Sequence, residues 1–150
     1  MGRESALFEF RFSSVHEAQL QHILKSIGVV AGESNHERWV FRSENYWLDL
    51  LLRRPTPALS VLSMRIALCN STKAISALVH LVRILQSELG GITRDVNCKK
   101  EWKALPEDLE ADLLLSYRSQ QHAFRQHFGS LEAAISAEEL MERLFGNQPN

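Results

Sequence analysis

Apolar residues recur along this chain with two different periods, and the switch between them marks out its elements. Between residues 59 and 69 they alternate, with Leu62, Met64, Ile66 and Leu68 on one side and Ser63, Arg65 and Ala67 on the other. A period of two is the signature of a strand with one face covered. From 72 to 89 the apolar positions (Ala74, Ile75, Leu78, Val79, Leu81 and Leu85 among them) fall at helical spacing and cover well over half of the helical wheel. Asn70 and Ser71 stand where side-chain oxygens cap a helix start, and Gly90 and Gly91 where a left-handed residue ends one. A helix this apolar must be mostly covered, and a sheet is its natural cover.

The same alternation predicts a strand over 6–12, with Phe8, Phe10 and Phe12 facing one way and Leu7, Glu9 and Arg11 the other. Ser14 and Glu17 have the spacing of a capping box. The helix they open turns Val15, Leu20, Ile23, Leu24 and Ile27 inward and stops at Gly28. Residues 29–31 read as a short strand end and 32–35 as a turn. Two further strands follow, 37–42 with Trp39 and Phe41 inward, and 46–53 with Tyr46, Leu48, Leu50 and Leu52 inward. Their closeness predicts a hairpin. Pro55 and Pro57 predict a loop over 54–58, since proline cannot donate to a central ladder. After the double glycine, 92–96 is a weaker strand.

Strand, helix, three strands, helix, strand is an α+β order. It predicts a ferredoxin-like sheet, a split βαβ with an extra antiparallel strand, packed on one face by two helices and followed by C-terminal helices. The other sheet face then carries Glu9, Arg11, Asp49, Arg53 and Arg65, a mixed-charge surface suited to water or a polar partner. Beyond Trp102 the pattern turns helical, with Pro106 in the first turn and Leu109, Leu113, Leu114, Tyr117 and Phe124 forming a stripe that ends near Gly129. A short helix is expected from 131, and a second capping box over 136–139. No internal repeat or low-complexity linker divides the chain. The expectation is one domain over 1–150, a sheet-and-helix frame over 1–103 carrying an acidic helical extension over 104–150.

Composition narrows the classes. A chain of 150 residues, 45% hydrophobic and 23% charged, is ordinary for a soluble globular protein. Its net charge of -1 argues against a dedicated binder of nucleic acid or anionic membrane. No apolar run approaches the roughly 20 residues that span a bilayer, and the first residues lack a signal-peptide pattern, so a cytoplasmic location is expected. Charge is uneven: residues 38–103 hold eleven Lys and Arg against five Asp and Glu, whereas 104–150 hold three against eight. Either the two parts complement each other within one domain, or the acidic part meets a basic partner.

Candidate chemistry is thin. His122 and His127, five apart on a helix, point about 140° from each other and do not converge on one metal. Cys69 and Cys98 suggest neither a disulfide framework nor a zinc site. Cys69 precedes a helix, but no histidine is placed to activate it, and a buried structural thiol is the simpler reading. Glu88 and Asp95 read as surface charges, and Gly90-Gly91 follows a helix instead of opening one, so it is no phosphate cradle. An acyl-CoA acetyltransferase needs glycines opening the helix, where this chain has Cys69-Asn70-Ser71-Thr72. An RNA-recognition sheet exposes aromatics, whereas the phenylalanines here share the apolar side. No catalytic residue, cofactor or metal ligand is therefore assigned.

The combination of Tyr46-Trp47-Leu48-Asp49-Leu50, a loop, the strand from Leu62 to Asn70 and a long aliphatic helix resembles small cytoplasmic immunity proteins of bacterial polymorphic toxin systems, more narrowly the Sit-type family. The likeness covers roughly 5–96. It implies a non-catalytic binder that occludes the active site or target-binding surface of a contact-delivered or Rhs-type toxin in a one-to-one complex, with no nucleic acid, membrane or small-molecule substrate. The alternative is an adaptor or chaperone for a secreted effector. Glu107, Asp108, Glu110 and Asp112, dense carboxylates at a helix start, are the first candidate contact for a basic toxin cleft. The same acids also suit the helix dipole. The sheet face of Glu9, Arg11, Asp49 and Arg53 is the second candidate.

Overall fold

The structure, a computed structural model, describes residues 4–31 and 37–130. Its strands are β1 (Ser5–Ser13), β2 (Val30–Ala31), β3 (Arg38–Arg42), β4 (Trp47–Thr56), β5 (Leu59–Ala67), β6 (Ile92–Asp95) and β7 (Lys100–Trp102). Its helices are α1 (Glu17–Ser26), entered through a 3-10 turn at Ser14–His16, α2 (Lys73–Leu89) and α3 (Leu109–Phe128). The expected turn over 32–35, the helix from 131 and the capping box over 136–139 lie outside the described residues.

The molecule is α+β, with one antiparallel sheet in the order β2-β3-β4-β5-β1-β6-β7. That sheet is larger than the expected frame with its single extra strand, because β2 and β7 extend its two edges. β1 runs between β5 and β6 and is antiparallel to both, so α2 carries the chain from one neighbour of β1 to the other. Phe8 pairs with Met64 and Phe10 with Leu62, while Met64 and Leu62 pair in turn with Leu50 and Leu52. These inward rows build a single core together with Leu20 and Leu24 of α1, Leu78, Leu81 and Leu85 of α2, and Leu109, Leu113, Tyr117 and Phe124 of α3. The three helices among the described residues thus lie on one side of the sheet.

Several local expectations are corrected. Val15 is 82% exposed, because the 3-10 turn delays α1 until Glu17 and turns this residue outward. Ser14 and Glu17 do not form a capping box. The Ser14 hydroxyl meets that of Ser60 at 3.0 Å, and the Glu17 carboxylate is taken by Arg54 and Ser60. The expected loop over 54–58 is a tight turn, since β4 continues through Pro55 to Thr56 and the register shifts between Arg53 and Thr56 to accommodate the proline. Asn70 does not cap α2: its side chain accepts from the Trp47 N–H (2.8 Å) and donates to the Ala67 carbonyl (2.9 Å). Gly90 alone takes the left-handed cap (φ 63°). A side chain on Gly91 would strike the Arg11 carbonyl and the Phe10 ring, so this glycine is required by close packing of β6 on β1. Asp95 is buried rather than a surface charge, and its carboxylate accepts the Cys98 N–H at 3.2 Å. Cys69 is only partly buried.

Candidate protein-interaction surface

Strand alternation places Glu9, Arg11, Asp49, Arg53 and Arg65 on the sheet face opposite the phenylalanines, and the register decides which of them meet. Glu9 lies opposite Ser63 on one side and Arg94 on the other. Its carboxylate receives Arg53 at 3.4 Å and Arg11 at 3.5 Å. Arg11 also approaches Glu101 of β7 at 3.9 Å, and Arg94 approaches the same carboxylate at 4.0 Å. A chain of alternating charge therefore crosses the sheet from β4 to β7. Val61 sits in register between Arg11 and Arg53 and is 2% exposed, although it stands outside the core. The hydrocarbon stems of the two arginines cover it while their charged heads reach water.

Asp49 belongs to a second group on the same face. It pairs in register with Arg65 on β5 and Val40 on β3, and its carboxylate lies 3.8 Å from Arg65 and 3.9 Å from Arg38. These side chains are far less exposed than Arg53 or Glu101, so the charge lattice is driest around Asp49 and most open at Arg53 and Glu101.

The α3 acids form a separate surface on the helix side of the sheet. Leu109 and Leu113 are buried against the core, which leaves Glu107, Asp108 and Asp112 exposed and Glu110 half-buried. Asp108 and Asp112 stand one turn apart, joined by the Asp112 N–H to Asp108 carbonyl bond of 3.1 Å. Asp108 occupies the N-cap position without a side-chain capping bond. Arg83 of α2 donates to the carbonyls of Pro106 (2.9 Å) and Glu107 (3.4 Å), which fixes the approach to α3. The eight predicted contact residues thus divide between two surfaces: Glu9, Arg11, Asp49 and Arg53 are brought together, while Glu107, Asp108, Glu110 and Asp112 are held apart from them by the core.

Compared with known proteins, the chain matches no family model, no curated protein and no solved structure. Among the described residues no helix is long and apolar enough to cross a membrane. No group of three metal-ligating side chains gathers among them.

Three parts of the arrangement escaped the sequence. Arg94 and Glu101 complete the charged lattice. Arg94 was accessible through the alternation of 92–95, but Glu101 sits on a three-residue strand that exists only because β6 offers it an edge. A second cluster ties the start of α1 to the β4–β5 hairpin: Arg54 donates to Glu17 at 2.7 and 2.9 Å and also pairs with Glu37. Arg54 holds the Glu17 carboxyl below its ordinary value, against the opposing effect of burial, and Ser60 adds to the lowering. The two carboxylates in turn raise the Arg54 guanidinium. The third part is the junction between β5 and α2. There the Tyr117 hydroxyl donates to the carbonyls of Ala67 (3.1 Å) and Asn70 (2.8 Å), and Gln121 donates to those of Leu68 (2.8 Å) and Asn70 (3.2 Å). Burial pushes the Tyr117 phenol well up, helped by nearby Cys69 and opposed by Gln121, so it stays a donor.

Proposed function

We propose that this chain is an immunity protein, which binds a cognate bacterial toxin in a one-to-one complex and covers its active site or target-binding surface. The observation that carries this reading is the ion-pair lattice on the sheet face opposite α1, α2 and α3. Exposed ion pairs such as Arg53–Glu9 and Arg11–Glu101 contribute about 0–1 kcal/mol each to stability, so they are a poor investment in the fold alone. Held on a rigid sheet, they form a patterned surface whose charges can exchange partners when another protein docks and excludes water. The reading also takes β4-β5-β1-β6 as a ferredoxin-like core, to which β2, β3 and β7 are additions; the antiparallel order of those four strands supports it.

The test is direct. The toxin encoded by the neighbouring reading frame is expressed with and without this chain, and growth, toxin activity and complex mass are measured. Immunity predicts restored growth, abolished activity and a one-to-one complex. A complex that aids export but leaves the toxin active would instead identify a chaperone, and no complex would end both readings.

A further inference from the structure

We infer that the charged sheet face, which carries no helix among the described residues, docks an acidic protein surface, with Arg11, Arg53 and Arg94 as its principal anchors. The inference deepens the reading above, under which that acidic surface belongs to the toxin; its charge argument comes from this face alone. Among the described residues the lattice holds Arg11, Arg38, Arg53, Arg65 and Arg94 against Glu9, Asp49 and Glu101, a surplus of two positive charges. One of the two lies in the open part, where Arg11, Arg53 and Arg94 face Glu9 and Glu101, and the other in the drier group of Arg38 and Arg65 around Asp49. Among the described residues Arg11, Arg53 and Arg94 have Glu9 and Glu101 as carboxylate partners, at separations of 3.4–4.0 Å that are long for charge-assisted hydrogen bonds, and Arg53 Nε–H also donates to the Ser63 hydroxyl at 3.2 Å. The Arg94 Nε–H is buried without a hydrogen-bond acceptor among the described residues, so it is the rest of that guanidinium that faces outward. Side-chain exposure of these three arginines runs from 31% to 49%, whereas the Glu9 between Arg11 and Arg53 is at 14% and Glu101 at the β7 edge is at 51%. Over Glu9 an approaching surface therefore meets the Arg11 and Arg53 guanidinium groups first and the carboxylate beneath them second, with Glu101 exposed at the edge.

Such a face suits discrete carboxylates better than a phosphate backbone. A guanidinium fork binds a carboxylate through two parallel hydrogen bonds, and each incoming Asp or Glu offsets part of the positive surplus. Duplex DNA presents a near-continuous line of negative charge, about one per 1.7 Å of axis, and would lay phosphates over Glu9 and Glu101 as well. Single strands seek aromatic platforms; Phe8, Phe10 and Phe12 are buried on the other side of the sheet, and Trp47, which shares this face with Asp49, is half-buried. This partner chemistry is the opposite of the basic cleft expected for the α3 acids.

The experiment titrates the full-length chain, isotopically labelled, with short poly-glutamate, poly-lysine and a DNA duplex of matched charge, following backbone amides by NMR at low and high salt. Poly-glutamate is expected to shift the amides of β1, β4 and β6 and to lose affinity as salt rises. The Arg11→Glu/Arg53→Glu double variant should weaken that binding about tenfold, and milder Arg53→Gln/Arg94→Gln should weaken it less, both with native circular dichroism. Arg118→Glu, exposed on α3, should leave it unchanged. The inference is overturned if poly-glutamate leaves these amides unmoved, if the duplex binds this face more tightly, or if the face proves to be occupied by a second copy in sedimentation. Because none of these measurements uses the toxin, failure here leaves the immunity reading standing, and failure of toxin neutralisation leaves this result intact.

Discussion

Gly90 and Gly91 are adjacent glycines held in place by different physics, and substituting each by alanine separates the two. At Gly90 the backbone is left-handed and the space around an added Cβ is open. Gly90→Ala therefore carries only conformational strain, about 1–2 kcal/mol. At Gly91 a Cβ would stand 2.3 Å from the Arg11 carbonyl oxygen and 2.6 and 2.8 Å from two carbons of the Phe10 ring. Restoring an ordinary 3.4 Å contact to that oxygen requires β6 to move 1.1 Å away from β1. Such a shift breaks ladder hydrogen bonds near the Arg11–Ile92 pair, worth about 1 kcal/mol each, and adds overpacking worth about 1–3 kcal/mol. Gly91→Ala should thus cost about 2–4 kcal/mol, roughly twice the cost at Gly90. Urea unfolding followed by circular dichroism reads both as shifts in midpoint at constant slope. Adding Phe10→Leu should not rescue Gly91→Ala, because the hardest contact is with backbone. The reasoning fails if Gly91→Ala is no more destabilising than Gly90→Ala, or if the Phe10 change restores it.

Three further outcomes are expected. Tyr117→Phe removes a buried donor from two carbonyls that keep Asn70 and Gln121 as donors, so it should cost about 1 kcal/mol in the same urea assay; a loss several times larger would mean the hydroxyl organises the whole β5–α2 junction. Because Arg54 lowers the folded Glu17 carboxyl, the stabilisation it brings is full above the unfolded value near about 4.3 and is lost as pH falls through the lowered folded value. The difference in urea midpoint between the parent and Glu17→Gln should therefore shrink on acidification, and a pH-independent difference would exclude the Arg54 pairing as its source. Reversing Asp108 and Asp112 to Lys should leave circular dichroism unchanged, since both are exposed. If the sheet face is the contact, the double variant should also bind toxin with the parent's affinity and salt dependence; a slower, less salt-sensitive association would move the contact to α3.

Alternation alone was enough to sort Phe8, Phe10 and Phe12 from Glu9 and Arg11, and Leu48, Leu50 and Leu52 from Asp49 and Arg53. Each strand is covered on one side only, so its pattern is strictly local. The same holds for α2, whose apolar surface had to be buried whatever covered it. Which charges meet is not local. Glu9 finds Arg53 because β5 brings β4 within reach of β1, and Arg94 joins them because α2 returns β6 to the other side of β1. Likewise Ser14, Glu17 and Asn70 carried correct capping chemistry, yet each was claimed by a partner that only folding supplied: Ser60, Arg54 and the Trp47 N–H. A side-chain oxygen serves whichever strong donor the fold brings within reach, and neighbours in sequence have no privilege over donors contributed by distant strands. Sequence thus determined which face of each element is apolar. Tertiary structure decided which polar groups became partners, because register and strand order set distances that no local spacing contains.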